Sequence, residues 1–214
     1  MKLDRINELT ILAYNNLAHK YHNSFKDEMQ EKEYDRNILD RFASTLDPND
    51  RICDAGCGPS GHIGKYLQRK GFDITGIDIS PKCIEIAKDF EREIEFHCMD
   101  MMNTYFEDGH FNGIISFYSI IHTPKNETPR FFQEFNRILK PNGQLLLVTK
   151  KGESEGIISD AWYEGNEVYF TNYKETELKE YFASNGFEIE FQETRRPYHS
   201  EIEVERIYII GRKV

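Results

Sequence analysis

The chain opens on a helical rhythm. Leu9, Leu12, Ala13, Leu17 and Ala18 recur at helical spacing, and after a polar stretch around Asn23 and Ser24 so do Tyr34, Ile38, Leu39, Phe42 and Leu46. Residues 5–46 are therefore expected to be helical, stopped by the turn Asp47-Pro48-Asn49-Asp50. From Arg51 short apolar runs take over. Strands are expected at 51–55, 74–79, 94–98, 113–117 and 144–149, with helices at 61–70, 81–90 and 128–140 between them. Ser80 and Pro81 suit the N-cap and first position of the second of these helices, and Gly71 suits the cap of the first. Leu145, Leu146, Leu147 and Val148 are continuously apolar, as in a strand buried on both faces. Strands alternating with helices imply parallel crossover units and a doubly wound α/β sheet. Residues 151–173, rich in glycine and aromatics, break the rhythm. A helix at 174–184, capped by Gly186, precedes two strands at 187–193 and 205–211. No helix-sized segment separates those two, so they are expected to pair antiparallel at the sheet edge, as strands six and seven.

The 214 residues fit one domain: a helical lid over 1–46, a ligand-binding core over 51–150, and a segment over 151–214 holding the irregular insert and the last strands. Net charge is -10, with no long Lys/Arg run, which argues against nucleic acid and suits a neutral or cationic partner. No run of about 18 apolar residues exists, so no membrane span is expected. The start Met1-Lys2-Leu3-Asp4-Arg5 leads into a mixed polar segment without an apolar signal core, which points to the cytoplasm. Cys53, Cys57, Cys83 and Cys98 then read as reduced residues, and their spacing offers no metal site.

The candidate chemistry begins at Asp54-Ala55-Gly56-Cys57-Gly58-Pro59-Ser60-Gly61, between a strand and a helix. Glycines there let the backbone turn tightly and let a ligand approach the main chain. Asp78 ends the next strand, where a carboxylate accepts both hydroxyls of a ribose. Turn and carboxylate together describe an adenosine site, or else a tight turn and a helix cap. A dinucleotide is the rival ligand. Three features weigh against it. Asp54 would repel a pyrophosphate but suits an ammonium group. Asp100, after the third strand, suits an adenine amino group. The last two strands do not build a second mononucleotide unit.

These residues, with Asp100-Met101 and the turn Leu139-Lys140-Pro141-Asn142-Gly143, resemble the successive motifs of class I S-adenosylmethionine-dependent methyltransferases. The resemblance covers roughly residues 12–212 and implies a seven-stranded, Rossmann-like mixed sheet in the order 3-2-1-4-5-7-6, the seventh strand antiparallel. It implies S-adenosylmethionine as cofactor. Gly56, Cys57 and Gly58 would face its methionine part, and Asp54 would hold the ammonium, directly or through water. Asp78 would take the ribose, Ile79 flank the adenine, and Asp100 with the main chain of Met101 meet the adenine edge. Phe117 and Tyr118 would lie near the sulfonium. The segment Tyr14–Tyr21 resembles the family's N-terminal lid, and Tyr21 there would reach the cofactor carboxylate. The family's Phe-Asp before the fourth strand is Phe111-Asn112 here.

The expected reaction is methyl transfer to an oxygen or nitrogen of a small molecule. His122, at the carboxyl edge after the fourth strand, is the candidate base, since an ordinary imidazole titrates near 6.5. Its alternative role is to hold the loop or contact substrate. Tyr14, Trp162, Tyr169 and Arg195 are the further substrate-side candidates. The aromatics would otherwise pack the insert, and Arg195 would otherwise belong to a solvated charged rim. Other readings are a cofactor-binding module without catalysis, a protein or RNA methyltransferase, and last an NAD dehydrogenase. The chain is expected to act as a monomer or homodimer.

Overall fold

The central sheet runs β3-β2-β1-β4-β5-β9-β8. Its strands are β1 (Arg51–Ala55), β2 (Asp73–Asp78), β3 (Glu95–Cys98), β4 (Phe111–Phe117), β5 (Leu139–Lys150), β8 (Phe187–Arg195) and β9 (Arg206–Lys213), with β6 (Glu155–Ile158) and β7 (Val168–Thr171) in a separate hairpin. Setting that hairpin aside, this is the seven-strand order anticipated above. The first five strands of the sheet are parallel to one another, and β9 runs antiparallel to both β5 and β8. The structure, a computed structural model, describes residues 2–160, 162–199 and 201–214.

Among the described residues seven α-helices complete it: α1 (Leu3–Phe25), α2 (Glu28–Glu31), α3 (Glu33–Ala43), α4 (His62–Gln68), α5 (Pro81–Phe90), α6 (Thr128–Ile138) and α7 (Glu175–Ser184). β5 shows how the sheet is sandwiched. Leu145 and Leu147 pack with Phe131, Phe135 and Phe182 of α6 and α7, whereas Leu146 and Val148 pack with Ile38 and Phe42 of α3. Alternate side chains of a strand point to opposite faces, so an unbroken apolar run is what this position requires. Ser80 caps α5 by accepting from Cys83 N–H at 3.1 Å, with Pro81 in the first turn.

Three expectations change. Residues 5–46, expected to be helical on either side of a polar stretch, form three helices, with the short α2 between the two periodic ones, and α1 and α3 have different partners. Ala13 and Leu17 pack on Tyr163 and Val168 at the hairpin, and Ala18 packs on Cys83 and Ile86 of α5. The turn expected after α6 is absorbed into β5, where the pairing with β4 slips between Phe111 and Gly113 and Asn142 takes φ 64°. The insert over 151–173, taken from sequence as irregular, contains β6 and β7. Their four-residue strands are too short to carry a periodic signal, and they form against α1 and the turn after β4.

Candidate active site

β1 delivers the chain into the glycine turn at the carboxyl edge of the sheet. Gly56 and Cys57 N–H both donate to the Ile77 carbonyl, at 2.8 and 3.0 Å, which folds the turn over the end of β2. Gly56 has φ +80° and Gly58 φ +61°, a region that strains any residue with a Cβ. A Cβ on Gly56 would lie 2.2 Å from Ser119 Cβ. The pocket therefore reaches bare main chain at these two residues.

Five segments meet around that pocket. The turn contributes Gly56 and Gly58. β2 ends in Ile77, Asp78 and Ile79, and Met99, Asp100, Met101 and Met102 follow β3. After β4 come Phe117, Tyr118, Ser119, His122 and Thr123, and α1 roofs the space with Asn7, Thr10, Tyr14 and Tyr21.

Asp78 is held from both sides. Its Oδ2 accepts from Gly58 N–H at 3.0 Å and its Oδ1 from Ser80 N–H at 2.8 Å. Burial pushes its carboxyl up to about 6, and the two N–H groups restrain the rise. Asp100 accepts from Met102 N–H at 2.9 Å and from Asn7 Nδ2 of α1 at 3.1 Å. Tyr118 takes φ +53°, an uncommon backbone for a bulky residue, and this turns the chain from β4 into the 3₁₀ turn Ile120–His122.

His122 bridges the roof and the hairpin. Its Nδ1 lies 2.7 Å from the Tyr169 carbonyl and its Nε2 lies 2.8 Å from the Tyr14 hydroxyl. A carbonyl only accepts, so Nδ1 carries the proton and a neutral ring offers Nε2 to the Tyr14 O–H. Burial lowers the imidazole to about 4. This departs from the ordinary value assumed above, because the ring is enclosed and Lys150 adds a nearby positive charge. Burial, with Tyr163 and Tyr21 nearby, raises the Tyr14 phenol.

Several predicted residues sit elsewhere. Asp54 lies behind the turn, 2% exposed, and its Oδ2 accepts from Gly64 N–H of α4 at 3.0 Å. Burial raises it to about 7. It does not line the pocket, and through Gly64 it braces the turn; of the two ways it was expected to hold the ammonium, directly or through water, this placement leaves the second. The Cys57 side chain is buried in the core under α4. Trp162 stacks edge-on with Phe25 and sits under Lys20 Nζ, fastening α1 to the hairpin. Tyr169 supplies its carbonyl, not its ring. Arg195 is neither in the pocket nor on a solvated rim. It is largely buried, pairs with Glu201 at 3.1 Å and donates to the Tyr208 hydroxyl at 3.1 and 3.0 Å.

Asn7, Thr10 and Ser119 were not foreseen. Asn7, Thr10, Tyr14 and Tyr21 follow steps of three, four and seven, a polar stripe along one face of α1. That stripe was the available signal. Among the described residues no cluster of three or more His, Cys, Asp or Glu is placed to hold a metal, and no helix is long and apolar enough to cross a membrane.

A glycine turn under a helix roof, with carboxylates ending β2 and following β3, is the layout of a nucleoside-binding α/β enzyme. The methyltransferase-domain family model matches residues 25–192. The chain belongs to that family, the class I S-adenosylmethionine-dependent methyltransferases. Phosphoethanolamine N-methyltransferase 2 of Caenorhabditis elegans is 29% identical over 182 residues, covering 80% of this chain and 40% of that protein. This chain thus spans less than half of that relative's length. A methyltransferase from Methanosarcina mazei superposes with a TM-score of 0.74 at 22% identity, covering 81% of this chain and 97% of that one. The 1,6-didemethyltoxoflavin-N1-methyltransferase of Burkholderia thailandensis, bound to its substrate and S-adenosylhomocysteine, superposes at 0.69 with 14% identity, covering 95% and 88%.

The pocket fits the family's cofactor. Gly56 and Gly58 bring bare main chain to the pocket, and the Asp78 carboxylate lines it from the end of β2. Ile79, Asp100 and Met101 line the same pocket, so carboxylates and apolar groups suited to a nucleoside stand together there.

Proposed function

We propose that the chain transfers the methyl group of S-adenosylmethionine to an oxygen or nitrogen of a small molecule. The observation that carries this reading is the Tyr14–His122 hydrogen bond in the pocket wall, beside the glycine turn. When bound, the cofactor supplies an electrophilic methyl on a sulfonium. The chain's work is then alignment, exclusion of water and proton removal. Alignment alone contributes up to ~7–11 kcal/mol.

Asp78 would accept the ribose hydroxyls and Tyr21 would reach the cofactor carboxylate. Phe117 and Tyr118 wall the reacting centre, and α1 closes over it. The acceptor gives its proton to the Tyr14 hydroxyl as Tyr14 gives its own to His122 Nε2. The Tyr169 carbonyl keeps the ring in the receiving tautomer. Burial makes His122 a weak base. The proton therefore leaves late, once bond formation has made the acceptor atom acidic. That two of the three proteins named above, the phosphoethanolamine and 1,6-didemethyltoxoflavin enzymes, are N-methyltransferases supports an acceptor of this size.

Incubation with methyl-labelled S-adenosylmethionine and pooled small amines, phenols and carboxylates should give a labelled product. A well-folded protein that binds no cofactor at millimolar concentration would overturn the reading. Cofactor affinity should also depend on pH. Asp78 accepts two ribose hydroxyls only when ionised, and its carboxyl is raised to about 6. The dissociation constant should be flat above about pH 7 and rise about tenfold per unit below pH 6. Calorimetric titration across that range checks this, and Asp78→Asn should bind weakly with no such slope.

A further inference from the structure

The roof of the pocket carries one polar side chain that the methyl transfer does not use. Asn7 lies about two turns before Tyr14 on the same face of α1, and it lines the pocket together with Ile79, Asp100 and Met101. Its Nδ2 donates to Asp100 Oδ2 at 3.1 Å. A carboxylate only accepts, so the amide nitrogen faces Asp100 and the amide oxygen is turned away from it. An amide side chain has two N–H donors and two acceptor lone pairs. Asp100 takes one donor. Among the described residues the second N–H and Oδ1 have no protein partner.

The frame around Asn7 is held from both sides. Asp100 Oδ1 accepts from Met102 N–H at 2.9 Å, which orients the carboxylate. Across the pocket α1 is tied down by Asn15, whose Oδ1 accepts from Ser80 Oγ at 2.8 Å and from Lys82 N–H at 3.2 Å. The Met101 N–H makes no hydrogen bond among the described residues. This corner of the pocket therefore offers the remaining lone pairs of Asp100, one main-chain donor at Met101, and a donor with an acceptor on Asn7. Adenine has two polar edges that share its amino group, one with N1 and one with N7, and each sets a donor beside an acceptor. Asp100 with the Met101 N–H complements one such edge. A carboxamide complements the other, since asparagine meets the amino group and N7 of adenine with two hydrogen bonds.

Building on the methyltransferase reading, we propose that Asn7 is a specificity residue for the cofactor's base: its Oδ1 accepts from the adenine amino group and its second N–H donates to N7. Asp100 and the Met101 main chain then take the amino and N1 edge. The base is read on two edges, and because Asn7 belongs to α1, the base itself fastens the roof. A ring with an oxygen in place of the amino group would set that oxygen against those of Asn7 and Asp100, which rejects it. The competing role for Asn7 is a latch that ties α1 to Asp100 and never touches the ligand. The two roles differ in one respect: only the first depends on N7.

S-adenosylhomocysteine and its 7-deaza analogue, which has a C–H in place of N7, are titrated calorimetrically into the wild type, Asn7→Ala and Asn7→Asp. The wild type should bind the analogue about three- to tenfold more weakly, the worth of one hydrogen bond. Asn7→Ala should bind S-adenosylhomocysteine about tenfold more weakly and should no longer distinguish it from the analogue. Asn7→Asp keeps the shape but sets an oxygen against Asp100 and against N7, so it should weaken binding at least as much and also lose the distinction. Alanine is a good helix former, so the melting temperature of Asn7→Ala should stay close to that of the wild type. A wild type that binds both ligands equally, or a preference that persists undiminished in Asn7→Ala, would overturn the proposal and leave Asn7 as a latch. A wild type that binds neither ligand at millimolar concentration would instead strike the methyltransferase reading, and this proposal with it.

Discussion

Replacing His122 with alanine is expected to lower kcat by ~10²–10⁴-fold, the range a positioned proton acceptor contributes, with S-adenosylmethionine affinity unchanged. The ring is bonded at both nitrogens, so the alanine variant also releases the Tyr169 carbonyl and the hairpin it belongs to. Tyr14→Phe is the cleaner companion. It removes one hydroxyl from a tyrosine that keeps its packing against Tyr163. If proton transfer runs through the pair, each single variant and the double variant should lose a similar factor, because residues acting as a unit are not additive. Near-wild-type turnover in both single variants would remove the relay. The pH profile carries a separate sign. Burial lowers His122 to about 4, so the neutral, accepting ring persists well below the ordinary value near 6.5. At saturating cofactor, kcat should stay level down to about pH 5 and fall toward pH 4. An acid limb centred near 6.5 would show a ring far less enclosed than this one. Linkage gives the same direction for the fold: a histidine with a lowered folded value stabilises above about 6.5 and loses that contribution as pH falls toward 4.

Gly56→Ala is expected to be the most damaging single methyl addition in the site. At φ +80° an L side chain is strained, at a cost on the order of 1–3 kcal/mol. The new Cβ would also meet Ser119 Cβ at 2.2 Å, and relieving such an overlap typically costs about 1–3 kcal/mol more. Ser119 cannot move freely. Its hydroxyl lies 2.6 Å from that of Ser116 in β4, and the next residues form the turn that carries His122. The variant should therefore lose ~2–6 kcal/mol of stability, much of a typical domain's total, and cofactor affinity should fall with it. Gly71→Ala is the control. It also has positive φ, at +96°, but a Cβ there meets nothing within 4 Å. Denaturant melts of the two variants separate backbone strain from the clash, and equal losses would refute the role given to Ser119.

Much of this site was legible in the chain because its parts are local. A glycine turn needs consecutive small residues, and Asp78 needs only to end a strand, so both could be read from spacing. Tyr14 and His122 were each named for the substrate side without any sign that they touch. They are far apart in sequence and meet only because α1 crosses the edge of the sheet to reach the hairpin. The residues whose roles changed were placed by the same kind of long-range contact. Asp54 shares the turn's sequence, yet its side chain leaves the pocket for an α4 N–H. Arg195 has a solvated-looking neighbourhood in sequence, but β9 and α3 enclose it with Tyr208 and Asp35.

The sequence by itself determined the doubly wound sheet and the cofactor edge. Periodicity and turn chemistry act over a few residues, and a strand such as β5 can be apolar on both faces only if both are covered. Only the tertiary structure decided which groups face one another across that edge. The Tyr14–His122 pair, the depressed imidazole and the buried Arg195 depend on burial and on contacts between distant segments. Those are properties of the folded environment, and no local pattern encodes them.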